Sequence, residues 1–302
     1  NNGAVWPFVT GWVALAQYRY HNAHSGYQAL SAIARTGFDE ARGRNPEVIS
    51  GRVYKPLDTA VPHQFFATSM VLTPLVRGLL GIEVDAPAGK LTIAPSLPPQ
   101  WDSVAVEHVR VGRDLVSFSV KRRARTLALE AWREGSDVSR PLDVVFAPSL
   151  PVGSEGVTVS SGGSGVPTLL PGAVVAEAKG TLRDRVRLSV TWTGGWEVRI
   201  PITVPKIGDR SAGIRVLSER IENANYVLTV QGRAGVTYDI GVRGPAPGRT
   251  NVTAVPADAV TPALQPGAPD LAGFSPVSVT FLTANADDDG YVTVKLVFTR
   301  RA

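Results

Sequence analysis

Over residues 1–86 the apolar positions recur with a helical period. Between Trp6 and Tyr20, the residues Phe8, Trp12, Leu15, Ala16 and Tyr20 fall near i, i+4, i+7 and i+8, and Pro7 suits a first-turn position. That spacing predicts a helix. A second is predicted over Ser25–Ala41, with Ala29, Leu30, Ile33, Ala34, Gly37 and Phe38 on one stripe. A third, Gln64–Leu80, is apolar nearly all round (Phe65, Phe66, Met70, Leu72, Leu75, Val76, Leu79), so it should be largely buried among neighbouring helices. From Lys90 onward the period changes to two, in short segments bounded by Gly, Pro, Ser and Asp. Strands are predicted at Leu91–Ala94, Val104–Val111, Leu115–Arg122, Leu127–Trp132, Leu142–Phe146, Val186–Trp192, Trp196–Thr203, Gly213–Glu219, Tyr226–Gln231, Thr237–Val242, Val277–Leu282 and Tyr291–Phe298. Ser160–Gly165 and Thr261–Gly273 read as exposed loops or linkers.

The second and third helices are joined by a loop too long for an ordinary connection: Arg44 to Leu57, continued by Ala60-Val61-Pro62-His63-Gln64. Structureless loops above about 12–15 residues are usually functional or disordered. This one has apolar anchors at Val48, Ile49, Val53, Tyr54, Leu57 and Val61, and three prolines, Pro46, Pro56 and Pro62, stiffen it. It carries a carboxylate (Glu47), a cation (Arg52), a phenol (Tyr54) and the pair His63-Gln64, the content of a binding site.

Composition narrows the classes. A chain of 302 residues, 44% hydrophobic, has ample core for two or three domains. No run of about 18 apolar residues predicts a transmembrane helix, and the first residues are not a signal peptide. The absence of cysteine excludes disulfides and a thiol nucleophile. With four scattered histidines, a transition-metal site is not expected. The net charge of +5 is spread along the chain. Its one dense cluster, Lys121-Arg122-Arg123-Ala124-Arg125, lacks the aromatic or Gly-rich company of a nucleic-acid patch and reads as a basic hairpin turn. Asp287-Asp288-Asp289-Gly290 reads as a solvated turn rather than a calcium loop, and Asn251-Val252-Thr253 fits a glycosylation sequon with nothing to support its use. Met70 is the only methionine, and three helices that each want burial make a poor domain by themselves. The chain therefore reads as the carboxyl-terminal part of something larger.

The helical stretch carries an ordered series of motifs: Asn2-Gly3-Ala4-Val5-Trp6-Pro7, Thr10-Gly11-Trp12, Pro46-Glu47-Val48-Ile49-Ser50-Gly51 and Pro62-His63-Gln64. It resembles the six-hairpin, (α/α)6-barrel glycosidases, in particular the bacterial amylo-α-1,6-glucosidase, glycogen-debranching-like branch. Gly78-Leu79-Leu80-Gly81-Ile82-Glu83-Val84-Asp85-Ala86, then Leu91 to Trp101 and Val109-Arg110-Val111-Gly112, look like that family's passage from its last barrel helices into a β-domain. The likeness covers roughly residues 1–122.

The fold it implies is α+β and multidomain. Residues 1–86 would form the end of an (α/α)6 barrel and residues 87–205 a β-sandwich. Residues 206–302 would be a second sandwich-like domain or a continuation of the first. It also implies inverting hydrolysis of α-linked glucans or related glycosides, without a cofactor, by a soluble cytoplasmic or periplasmic bacterial protein. Two carboxyl groups about 6.5–9.5 Å apart are then needed. Glu47 matches the general base, and no position here matches the general acid. The partners implied are an oligo- or polysaccharide and the missing amino-terminal half of the same domain, with no nucleic acid and no membrane.

Around Glu47, each side chain has two readings. Glu47 is the base, or it pairs with Arg44 or Arg52. Trp6 and Trp12 are core, or stack on pyranose faces, with Pro7 and Gly11 aiming the helix start and admitting a sugar. Asn2 caps the helix or binds a hydroxyl. His63 and Gln64 anchor the loop or read hydroxyls. Tyr54 packs with its hydroxyl toward the pocket, and His21 and His24 are surface residues. The alternative function is a non-catalytic carbohydrate-binding or scaffolding β-sandwich module.

Overall fold

The computed structural model describes residues 3–134, 140–160, 167–170, 172–245, 250–265 and 269–300. Strands hold 47% of the described residues and helices 16%, so the protein is α+β and mostly β. The described residues show no (α/α)6 barrel; they hold three α-helices, α1 (Pro7–Arg19), α2 (Ala23–Thr36) and α3 (Phe65–Pro74). Pro7 occupies the first turn of α1, where its missing N–H costs nothing. The buried stripe of α1 is Pro7, Gly11, Ala14 and Tyr18, that is i, i+4, i+7 and i+11. The helix closes as a Schellman motif: Asn22 N–H donates to Gln17 O (2.8 Å) and His21 N–H to Tyr18 O, with His21 at φ +61°. His21 is thus half-buried and structural rather than a surface residue. Gly37 caps α2 five residues sooner than the apolar stripe suggests, and leaves Phe38 72% exposed.

Helix α3 departs furthest from expectation. Pro74 brings no N–H to the ladder, and the chain continues as a π-helical turn, Leu75–Leu79. One side, with Ala67 and Met70, packs on α1 so closely that a Cβ on Gly11 would lie 2.3 Å from Met70 O. Gly11 serves helix–helix contact, not the approach of a sugar. The other side is open rather than buried: Phe65 is 84% exposed and Leu72 57%.

The helices do not form a closed bundle. Ala14, Tyr18, Leu30, Leu79 and Leu80 join a core shared with two sheets. The first sheet runs Ile82–Asp85, Lys90–Ile93, Leu142–Phe146 and Ala178–Leu182, with Lys90–Ile93 and Leu142–Phe146 parallel. It contributes Leu91, Ile93, Val144, Phe146 and Leu182 to this core. Facing it are Ser103–Val111, Asp114–Arg123, Thr126–Glu134 and Arg185–Arg199, which contribute Phe118, Leu129, Leu188 and Trp192.

The strand Arg185–Arg199 replaces the two expected strands Val186–Trp192 and Trp196–Thr203; residues 200–203 lie outside it. Its first half pairs with Thr126–Glu134. Its pairing with Val152–Val159 slips by a bulge at Thr191–Thr193, and Glu197–Arg199 then pairs with Gly241–Arg243. The strand therefore passes from the first core into a second. That core is built of Trp196, Val198, Tyr226, Leu228, Ile240, Val279, Phe281, Leu296, Phe298 and their neighbours. The sheet Arg215–Glu222, Asn225–Arg233, Tyr291–Arg300 and Thr250–Val255 packs here against Thr237–Arg243, Ser275–Phe281 and Val260–Leu264. Val260–Leu264 is a strand where a loop is expected.

Lys121–Arg125 is the hairpin between Asp114–Arg123 and Thr126–Glu134. Arg122, 7% exposed, pairs with Glu197, whose other oxygen takes the Arg243 guanidinium. Arg125 donates to the carbonyls of Gly244 and Pro245. The basic cluster thus ties the two cores together.

Candidate functional site

The loop between α2 and α3 is built on one buried asparagine that the sequence does not single out. Asn45 is 2% exposed. Its Nδ2 donates to Ile33 O (2.7 Å) and to Thr36 Oγ1 (2.8 Å), while its carbonyl accepts from the Gln64 amide (2.9 Å). One residue therefore clips the end of α2 to the start of α3. Past it, the Glu47 amide donates to Val61 O (2.9 Å), and Val5 and Ile49 exchange both backbone hydrogen bonds at 2.8 Å. Ser50 N–H donates to Lys55 O, closing a small hairpin against the start of α1. Gly51 is held so near Gly3 that a Cβ would fall 1.7 Å from Gly3 O; no other residue fits there.

These clips bring the backbone of residues 5, 45–49 and 61–64 to one corner, where α1 and α3 both begin. Glu47 is half-buried there. Its Oε2 accepts from the Val61 amide at 3.3 Å, and among the described residues neither Arg44 nor Arg52 pairs with it. Trp6 precedes α1, half-buried, at the same corner. Trp12 lies farther along α1, 52% exposed, in an edge-to-face cluster with Phe8 (6.4 Å), which in turn meets Phe66 (5.0 Å). His63 is exposed, and Gln64 is the residue before α3, where it forms no side-chain cap. Asn2 lies outside the described residues.

Arg52 and Tyr54 sit at the far end of the hairpin. The Tyr54 hydroxyl donates to Asp39 (2.5 Å), and Arg52 is exposed. Burial, the Asp39 hydrogen bond and its charge together push the phenol above its ordinary range, so Tyr54 stays protonated.

A cleft of about 1050 Å³ opens between α2, this hairpin and the second core. Among the candidate residues it takes Arg52 and Tyr54, and not Glu47, Trp6, Trp12, His63 or Gln64. Much of its polar lining is already partnered by protein. Ser25 Oγ donates to Val216 O (2.7 Å), and Gln28 pairs with both Ile214 O (2.8 Å) and Val216 N (3.2 Å), in the manner of a strand on a sheet edge. Arg35 donates to Thr203 O (2.7 Å). His24, expected on the surface, is half-buried against Glu219 (3.8 Å), which also accepts from the Tyr226 hydroxyl (2.7 Å). Burial first, then the Glu219 charge, raises the Tyr226 phenol far above its ordinary range. These groups make the cleft a seam between layers. Ser25, Gln28 and Arg35 lie on the polar face of α2, and in sequence that pattern is indistinguishable from a solvated face.

Asp287 Oδ1 accepts from the amides of Asp289 (3.1 Å) and Tyr291 (2.7 Å), so the acidic run is a self-capped turn. Among the described residues no group of three His, Asp or Glu side chains could hold a metal ion, and no helix is long and apolar enough to cross a membrane. Neither a protein-family model, nor a curated protein, nor a solved structure matches the chain.

Proposed function

We propose that the chain is the carboxyl-terminal part of an inverting glycoside hydrolase acting on α-linked glucans or related glycosides. Glu47 is its general base, and the general acid comes from the remaining part of the same helical domain. The observation that carries this reading is the open face of the helical layer. Val9 (51% exposed), Trp12, Phe65 and Leu72 stand uncovered on α1 and α3, beside the corner that holds Glu47. A surface of that kind wants either further helices or the apolar face of a sugar. Among the described residues the carboxylate at its edge has a single amide donor and no cation, which suits a group that must accept a proton from water.

The alternative of a carbohydrate-binding β-module lacks the corresponding platform. Among the described residues every exposed aromatic side chain (Trp12, Tyr20, Phe38, Phe65, Phe66) is in the helical segment, while Trp132 and Tyr291 of the sheets are half-buried. Trp192, Trp196, Tyr226 and Phe298 of the sheets are buried.

The test is turnover of α-linked gluco-oligosaccharides by the protein carrying the whole helical domain. Glu47→Gln should lower kcat by about 10²–10⁴-fold while KM stays within a few-fold, and the 302-residue chain alone should not turn over. Near-normal kcat in that variant removes the assignment.

A further inference from the structure

The polypeptide between the last residue of Arg185–Arg199 and the first of Arg215–Glu222 is a coil that crosses the molecule back to the helical layer. It carries Ile202, Val204 and Ile207 exposed to solvent. Its backbone is held at both ends by side chains of α2. Arg35 on α2 holds Thr203 O, and Gln28 and Ser25 hold Ile214 and Val216. Between these, residues 206–209 form a turn. The Asp209 amide donates to Lys206 O (2.9 Å), and Asp209 Oδ2 accepts from the Lys206 amide (2.7 Å).

That turn meets the tip of the Glu47 hairpin through a reciprocal backbone pair: Tyr54 N–H donates to Asp209 O (2.7 Å), and Gly208 N–H donates to Tyr54 O (2.9 Å). Tyr54 is further held by its hydroxyl on Asp39. From there the hairpin runs back through Ser50–Lys55 and Ile49–Val5 to Glu47. A hairpin this short, isolated in water, is marginal. Its tip acquires two backbone hydrogen bonds only because the second β-unit brings residues 206–209 to it.

We propose that the 206–209 turn is a positioning element for the Glu47 loop, and that Asp209, by closing the turn, is the residue on which this depends. The inference rests on the reading of Glu47 as the base for its functional meaning, though not for its structural content. The second β-unit is then a splint for the hydrolytic site, and a change in its seating on α2 moves the carboxylate without touching it. Asp209 is exposed and lies outside both cores, so its substitution leaves the fold intact.

The experiment is residue-resolved amide hydrogen exchange on the 302-residue chain. Asp209→Ala should speed exchange at Tyr54 and, through the hairpin, at Ser50, Ile49 and Glu47, each by about threefold to tenfold for a hydrogen-bonded cap lost. Core amides such as Leu129 should be unchanged. Asp209→Asn, whose amide oxygen can still accept from Lys206, should restore protection. Acceleration confined to Tyr54, an unaltered loop, or failure of Asp209→Asn to rescue would each overturn the proposal. Because this readout is independent of turnover, such a failure leaves the role of Glu47 standing, whereas near-normal kcat in Glu47→Gln removes that role and leaves the splint.

Discussion

Replacing Asn45 tests whether one side chain holds the functional loop. Asn45→Ala removes two hydrogen bonds, to Ile33 O at 2.7 Å and Thr36 Oγ1 at 2.8 Å, at a site 2% exposed. The Ile33 carbonyl keeps the Thr36 hydroxyl as a donor (2.8 Å), so no backbone group is orphaned. At roughly 0.5–1.5 kcal/mol net per bond, the loss is about 1–3 kcal/mol. At roughly 2–4 °C per kcal/mol, Tm should fall by about 2–12 °C.

Asn45→Asp goes further, because it sets a carboxylate against the Ile33 carbonyl oxygen at a site 2% exposed. An unpaired buried charge should bring the loss at pH 7 to about 3–5 kcal/mol. Burial raises the folded pKa of that introduced carboxyl above its unfolded value. Its protonated form can donate to Ile33 O, so the variant regains stability as pH falls and loses it as pH rises through the folded pKa. Thermal and urea unfolding of both variants at pH 7 and pH 5 would decide. A cost for Asn45→Ala within about 0.5 kcal/mol of the parent, the range of an inert surface change, would refute the clip. So would an Asn45→Asp variant no worse than Asn45→Ala at pH 7.

Two further outcomes follow from the packing. Glu197→Gln leaves the guanidiniums of Arg122 and Arg243, 7% and 15% exposed, without a counter-charge; it should cost about 3–5 kcal/mol in urea unfolding, and a cost no larger than that of a surface substitution would show that the triad does not join the cores. For Asp270, burial opposes ionisation but is outweighed by Arg199 and by the amides of Phe274 and Ala272, which hold the carboxyl below its usual range. Its contribution is therefore present above the unfolded value and lost as pH falls through the lower folded one. The stability gap between parent and Asp270→Asn should be full near pH 6 and shrink below about pH 4; a gap that does not narrow on acidification would contradict this.

Local chemistry alone determined much of this protein. The 3.6-residue period places α1 within a residue of its observed ends, because Pro7 and the helical spacing act within the helix itself, yet the stripe it marks is the wrong one: Trp12 and Tyr20 are exposed, and Pro7, Gly11, Ala14 and Tyr18 are the buried positions. The period-two runs mark most of the strands, since alternation reflects burial on one face. The long loop and its carboxylate are legible as an unusually stiff insertion. Tertiary structure alone decided what each element meets. Arg185–Arg199 runs through Thr193-Gly194-Gly195, a turn signal in sequence, because ladder bonds from neighbouring strands hold it on either side of the bulge. The apolar circumference of α3 cannot tell which side is covered, and only the packing of Met70 on Gly11 leaves Phe65 and Leu72 open. Asn45, Gln28 and Asp209 give no sign in sequence, for their partners are backbone groups remote along the chain or supplied only once it has turned, and such groups carry no side-chain code.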